Sequence, residues 1–256
     1  MAKIFAKFKF LLIYFFIHSI ICPAQVILID PGHGGTDLGA VGKWQKKSGK
    51  KTEIITLYEK DIALKLAQSL KSQLQSKYMV YLTRTEDYVV TLHDRATMAE
   101  KVKADIFISI HFNSATEKEA VGIETFYLDN HQDKAVKKVE SVENIGISSN
   151  QNEDDLVNHI LIDLAIKMTS SSSKKLAQQI HQHSFQSVKQ KYSVKDRGFK
   201  PGLLYVLALS KRPGVLIEAG FLSNQAELFR LTQKKYRDLY AIGVAKGIDE
   251  YFKQKK

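Results

Sequence analysis

The chain is almost without cysteine. Its one thiol, Cys22, sits at the end of an amino-terminal segment that does not read as part of a fold. A Cys nucleophile, a Cys-ligated zinc site and a disulfide framework are therefore excluded if that segment is removed. A core of more than 200 residues does not need stapling in any compartment. Also lacking is an apolar run of about 20 residues, the length needed to span a bilayer. The longest, Phe10–Ile21, has twelve positions, follows Lys3, Lys7 and Lys9, and precedes Cys22-Pro23-Ala24. A basic front, a short apolar middle and a small residue before the cut is the build of a secretory signal peptide. Residues 1–24 are expected to be a leader and 25–256 a single domain, with no stable membrane span after cleavage. There is no phosphate-binding Gly-Lys-Ser/Thr loop, no dinucleotide fingerprint, no internal repeat, and no basic-aromatic module that would point to nucleic acid. The formal charge of +11 falls to +8 without the three leader lysines. A basic exported chain suits an anionic surface such as the cell wall.

What is present is an alternation. VILID (26–30), YMVYLTR (78–84), ADIFISIHFN (104–113), VGIETFYLD (121–129), LLYVLAL (203–209) and GVLIEAGF (214–221) read as strands. Between them lie helical patterns, for example 59–74 with apolar residues at 62, 63, 66, 67, 70 and 74. Residues 91–103, a segment near 133–146, LVNHILIDLAIKM (156–168), a stretch after the serine run 170–173, and the end from 224 also read as helices. The Lys-rich 43–53 reads as a polar excursion. Strands alternating with helices predict a single α/β domain, a mostly parallel sheet of about six strands flanked by helices.

In open α/β sheets the chemistry collects at the carboxyl ends of the strands. The first strand delivers His33 there, the third His111, and the last Glu218, an acid directly after four apolar positions. Such groups are costly at the inner end of a strand unless paired or bound to a metal. Two imidazoles and carboxylates suit zinc with an open position for water. Glu59, at a helix start, is a fourth candidate and Glu53 its alternative. Which acid binds the metal and which moves a proton is left open by the pattern. A strand-end histidine is more often a structural hydrogen-bonder than a ligand, and Glu59 also suits a helix N-terminus. The remaining histidines, 18, 93, 131, 159, 181 and 183, read as leader or surface.

Four separated stretches, ILIDPGHGGTDLGAVG, EKDIALKLA, TRTEDYVVTLHDRATMAEKVKADIFISIHFNS and VLIEAGFLSN, together resemble the zinc-dependent N-acetylmuramoyl-L-alanine amidases, from about residue 26 to the end. The resemblance implies Zn2+ ligated by His33, Glu59 and His111, with Glu218 as catalytic acid/base and peptidoglycan as substrate. The gap from His33 to Glu59 is longer than that family leads one to expect. The segment of about 130–173 resembles the helical insertion of the cell-division members, in which a glutamate fills the open metal position. That implies Glu143 as a regulatory residue, with Glu140 as alternative, an activator protein that displaces the helix, and a place in the Gram-negative periplasm. Rival readings are a zinc peptidase or deacetylase acting on the wall, and a non-catalytic wall-binding protein. Arg84 and Arg95 match family positions too. They suit either substrate carboxylates or pairing with Glu86 and Asp94.

Overall fold

The computed structural model describes residues 25–48, 51–131, 133–144 and 153–255; the expected leader, including Cys22, lies outside them. Among the described residues, eight strands and seven helices follow in chain order: β1 (Val26–Pro31), β2 (Val41–Ser48), β3 (Lys51–Tyr58), α1 (Glu59–Leu74), β4 (Met79–Leu82), α2 (Leu92–Lys101), β5 (Ile106–Asn113), β6 (Ile123–Leu128), α3 (Lys134–Glu143), α4 (Glu153–Lys189), β7 (Asp196–Gly202), α5 (Tyr205–Ser210), β8 (Gly214–Phe221), α6 (Gln225–Thr232) and α7 (Lys234–Gln254). Six strands form one sheet in the order β4-β1-β5-β8-β6-β7. Neighbours are parallel except β6 against β8. The expected fold class, a mostly parallel six-stranded α/β domain, is what the chain adopts.

The central strands β1, β5, β8 and β6 are buried on both faces, and their two-residue period sorts the side chains. Ile27, Ile29, Ile106, Ile108 and Ile110 join a core with α1, α7 and the second half of α4. Leu28, Phe107, Leu216 and Phe126 face the other way, toward α3, α5 and Ala165 of α4. On this second face each strand changes character near one end. Leu28 is followed at the next same-face position by Asp30, Phe107 by Ser109 and His111, and Leu216 by Glu218, all buried. Helix α4 lies very close to α7. A Cβ on Gly243 would come within 2.5 Å of the Ser184 Cα, so only glycine admits that approach.

Three local expectations are corrected. The run 203–209 is not a strand. Its middle is the buried helix α5, and the sixth strand is β7, whose Asp-Arg-Gly start and Pro201 hid it. A short apolar run fits a buried helix turn as well as a strand, and Pro201 is tolerated because β7 is an edge strand. The Lys-rich excursion is the antiparallel hairpin β2–β3, in register from Val41↔Tyr58 to Ser48↔Lys51. Its base is anchored by Trp44 against Phe229, ring centroids 4.9 Å apart. The serine run does not break a helix: α4 continues through it. The Thr169 hydroxyl donates to the Ala165 carbonyl at 2.7 Å, Ser170 donates to Asp129 at 2.7 Å, and the Ser173 hydroxyl accepts from the Gly214 amide at 3.0 Å. The Ser170 and Ser173 hydroxyls, engaged outside the helix, do not compete with its backbone, and that of Thr169 bonds back within the helix.

Candidate metal centre and its surroundings

The hairpin explains how residues far apart in sequence meet. It carries the chain out and back, so that the Glu59 amide donates to the Ala40 carbonyl at 2.9 Å. Glu59 opens α1 with a carboxylate at the positive end of the helix dipole. Its Oε2 accepts from the Ala40 amide at 2.7 Å and its Oε1 from the Phe112 amide at 2.8 Å. Glu53 stands opposite Lys46 in the backbone register partway up the hairpin and is exposed, so it is not part of the cluster.

His33 sits just beyond β1 with φ 58°, a left-handed conformation rare for a residue with a side chain. Asp37 Oδ2 lies 2.9 Å from its Nδ1, which leaves Nε2 aimed inward, 3.1 Å from Glu59 Oε1. His111, at the end of β5, turns Nδ1 to the same oxygen at 3.2 Å. The last residue of α3, Glu143, adds Oε2 at 2.7 Å from His111 Nδ1 and 3.9 Å from His33 Nε2. One donor atom from each of these four residues lies within 4.8 Å of the others. Glycine is needed against them: a Cβ on Gly39, at φ +63°, would be 2.6 Å from both Glu59 Oε2 and the His33 ring. Glu140, the alternative to Glu143, is turned elsewhere. It accepts from the Leu203 amide and meets His131 Nε2.

His33 Nε2 and His111 Nδ1 are buried, and neither makes an aligned hydrogen bond despite the nearby oxygens. Two orphaned imidazole nitrogens facing carboxylate oxygens are what a divalent cation with nitrogen and oxygen ligands requires, and zinc accepts this donor set. Without a cation the charges compensate one another. Burial disfavours the His33 imidazolium, but the Glu59 charge and the bond to Asp37 raise its pKa to about 9. Burial likewise opposes charging of His111, and Glu143 with Glu59 outweighs it, bringing the pKa to about 10. Glu59 is buried, yet the two histidines hold its carboxyl well below the usual range.

Glu218 is register-paired with His111 across β5–β8 but contributes no atom to the four-residue cluster. It is 1 % exposed and its Oε2 has no hydrogen-bond partner. Burial, then the Glu143, Glu59 and Glu124 charges, push its pKa well above the ordinary carboxylate value. Glu124 is not at the carboxyl end of its strand, because β6 runs against β8 and brings its starting end, not its finish, to this edge, opposite Glu218. It is held by Asn113 at 2.8 Å, Lys200 at 2.7 Å and Arg197 at 3.2 Å. A cavity of about 630 Å³ opens against the cluster, lined in part by His33, Asp37, Val90, His111, Val142 and Glu143.

Two further expectations change. Arg84 and Arg95 are 1 % and 4 % exposed and committed to backbone carbonyls, so neither is available to a substrate carboxylate. What Arg84 meets of Glu86 is the backbone carbonyl, not the carboxylate, and Asp94 accepts instead from Thr91. His181 is not a surface residue either: it is buried between Thr125 and Asp196. The side chain of His131 is 6 % exposed against Glu140.

A family profile described as N-acetylmuramoyl-L-alanine amidase matches residues 27–250. The chain is 31 % identical over 237 residues to N-acetylmuramoyl-L-alanine amidase AmiC of Escherichia coli O6:H1, covering 89 % of this chain and 52 % of that protein. It thus spans about half of that relative's length. The catalytic domain of the amidase CwlV from Bacillus (Paenibacillus) polymyxa var. colistinus superposes with a TM-score of 0.65 at 30 % identity, over 90 % of this chain and 98 % of that one. The CwlD amidase of Clostridioides difficile, solved in complex with the GerS lipoprotein, superposes with a TM-score of 0.64 at 25 % identity, over 90 % and 99 %.

Proposed function

The chain belongs to the N-acetylmuramoyl-L-alanine amidase family, a class of peptidoglycan hydrolases, and from that premise we propose that it cleaves the amide between N-acetylmuramic acid and L-alanine in a zinc-dependent reaction. The observation that carries the reading is the meeting of His33 Nε2, His111 Nδ1 and Glu59 Oε1, delivered by three separate elements, with both nitrogens buried and unsatisfied. In this reading those three residues hold Zn2+ and Glu218 is the acid/base.

When bound, zinc supplies Lewis acidity, making water a nucleophile near neutral pH and polarising the carbonyl. The chain's own residues do the rest. Asp37 takes one face of the His33 ring and fixes which nitrogen points inward. Two backbone amides hold Glu59 in place. Glu218 accepts the proton of the attacking water. It returns that proton to the L-alanine nitrogen as the carbon–nitrogen bond breaks, because an amide nitrogen leaves poorly as an anion. A carboxyl with a raised pKa is suited to the second step.

Regulation follows from Glu143. It occupies the centre from a helix outside the sheet, where a substrate carbonyl has to approach. In this reading α3 is the inhibitory part of an insertion of about 130–173, and an activator protein draws it away. Withdrawing Glu143 also removes one of the charges that raise the Glu218 pKa, which favours its basic form. A structurally similar amidase has been solved with a lipoprotein bound, in keeping with control by a partner. The setting is the Gram-negative periplasm, reached through a leader at residues 1–24, with a role in cell separation. No helix among the described residues is long and apolar enough to cross a membrane.

The test is mass spectrometry of purified peptidoglycan digested with and without a chelator. Stem peptides beginning with L-alanine, released together with unsubstituted glycan and only without chelator, support the reading. Peptides cut within the stem, or glycan that has lost only acetyl groups, would replace it with a peptidase or a deacetylase. No products at all, from the chain and from its Glu143→Ala variant alike, would favour a wall-binding protein.

A further inference from the structure

The loop that carries His33 leaves the sheet at Pro31, so its carbonyls have lost their ladder partners. Buried cations take their place. Arg84 Nε donates to the Pro31 carbonyl at 3.1 Å and its Nη2 to the Gly32 carbonyl at 2.8 Å. Arg95 donates through Nη1 to the Pro31 carbonyl and through Nη2 to that of His33, both at 2.9 Å. Lys60 donates to the Gly35 carbonyl at 2.9 Å. The three residues are 1 %, 4 % and 8 % exposed in that order. Their charges are answered from below and from the side: Asp30 bonds Arg95, while Asp87 bonds Lys60 at 2.6 Å and the Gly35 amide at 2.7 Å.

One nitrogen matters most. Arg84 Nη2 also donates to the Lys60 carbonyl at 2.7 Å. A single atom therefore ties the residue before His33 to the residue after Glu59. The carbonyls are bonded, but a merely satisfied loop would not need this arrangement. His33 is held at φ 58°, a conformation costing a non-glycine residue about 1–3 kcal/mol unless the surroundings impose it. A planar, rigid guanidinium can impose it; a flexible ammonium offers no such fork.

We propose that Arg84, with Arg95 beside it, is a positioning residue of the metal centre: it holds the His33 turn and the start of α1 at one separation, so that His33 Nε2 and Glu59 Oε1 converge on the same cation. This rests on the metal-centre reading above. Arg84 acts through other residues and touches neither metal nor substrate.

The test is zinc affinity, measured by competition with a chromogenic chelator on the intact chain, together with the visible absorption of the cobalt-substituted protein. In Arg84→Met the zinc Kd is expected to rise about 10- to 100-fold, the usual effect of losing an outer-sphere partner, and the cobalt spectrum to change shape. Arg84→Lys and Arg95→Lys keep the charge without the fork and are expected to fall in between; they carry the test if the methionine variant does not fold. Ile248→Ala, on the buried face of α7, provides a loss of melting temperature without a change in zinc Kd. In a His33→Ala background, Arg84→Met is expected to cost less than about twofold, because the residue it acts through is gone. Wild-type zinc affinity and cobalt spectrum in the folded Arg84 variants would overturn the positioning role alone. A wild-type chain that takes up no zinc would overturn the metal reading and this inference with it.

Discussion

The His33 loop and helix α3 each bring one side chain to the same few ångströms of space, and they are secured very differently. The loop is gripped by three buried cations, and its neighbouring glycine has no room for a Cβ. Helix α3 has ten residues, too few to be stable as a helix on its own. It leans on Val136, on Glu140 accepting from the Leu203 amide, and on Asn144, which donates to the Leu203 carbonyl and accepts from the Tyr205 amide, both at 2.9 Å. Val142, next to Glu143, is 50 % exposed. The difference matches the division that the proposed regulation requires, with His33 in the fixed part of the site and Glu143 on the helix that an activator would draw away.

That comparison is open to attack in order of expected effect. Glu218→Gln is expected to lower peptidoglycan cleavage by about 10²- to 10⁴-fold, the range for a general acid/base, with zinc content unchanged; dye release from labelled sacculi and elemental analysis measure the two. Glu143→Ala is expected to raise basal cleavage roughly 10- to 100-fold, since a hydrogen bond to a charged group is worth about 1.5–3 kcal/mol. No gain would make Glu143 a permanent ligand and remove the contrast with His33. Asn144→Ala cuts a tether of α3 without touching the cluster. Its gain is expected to be smaller, about two- to tenfold, in the same assay.

Protonation provides a fourth measurement. In the metal-free protein the His33 and His111 pKa values stand at about 9 and about 10, above the ordinary 6.5. Both imidazoles are therefore charged at pH 7 and must lose a proton to bind a metal, so zinc uptake is expected to release about two protons. Calorimetry in buffers of different ionisation enthalpy reads that number. The sign for stability follows from the same shifts. Raised values contribute stability that is fully present below pH 6.5 and is lost as pH rises through 9 to 10, so the metal-free protein is expected to melt at a lower temperature at pH 10 than at pH 7. Smallest of all, Glu53→Gln is expected to leave zinc affinity within about twofold of wild type, because Glu53 is exposed on the hairpin.

Much of this was legible in the sequence, and the failures share a cause. The β-branched strand cores announced themselves, and the polar residue ending each apolar run marked His111 and Glu218. Glu59 was reached through its surrounding motif, yet its standing against Glu53 depended on the shape of residues 43–53, which a lysine count does not give. Glu124 was invisible because nothing local states that β6 runs backwards. Arg84 and Arg95 were visible only as charges: that a charge is buried and spent on carbonyls is a property of the packed loop. The helix at 205–210 and the strand at 196–202 were exchanged because short runs carry no period, and the serine run looked like a break because its hydroxyl partners are distant in sequence.

The most direct test of the metal centre is the anomalous scattering of a zinc-loaded crystal at the zinc absorption edge. The expected result is one strong peak in contact with His33 Nε2, His111 Nδ1 and Glu59, lost in His111→Ala. A zinc-saturated crystal with no peak between those three side chains would contradict it.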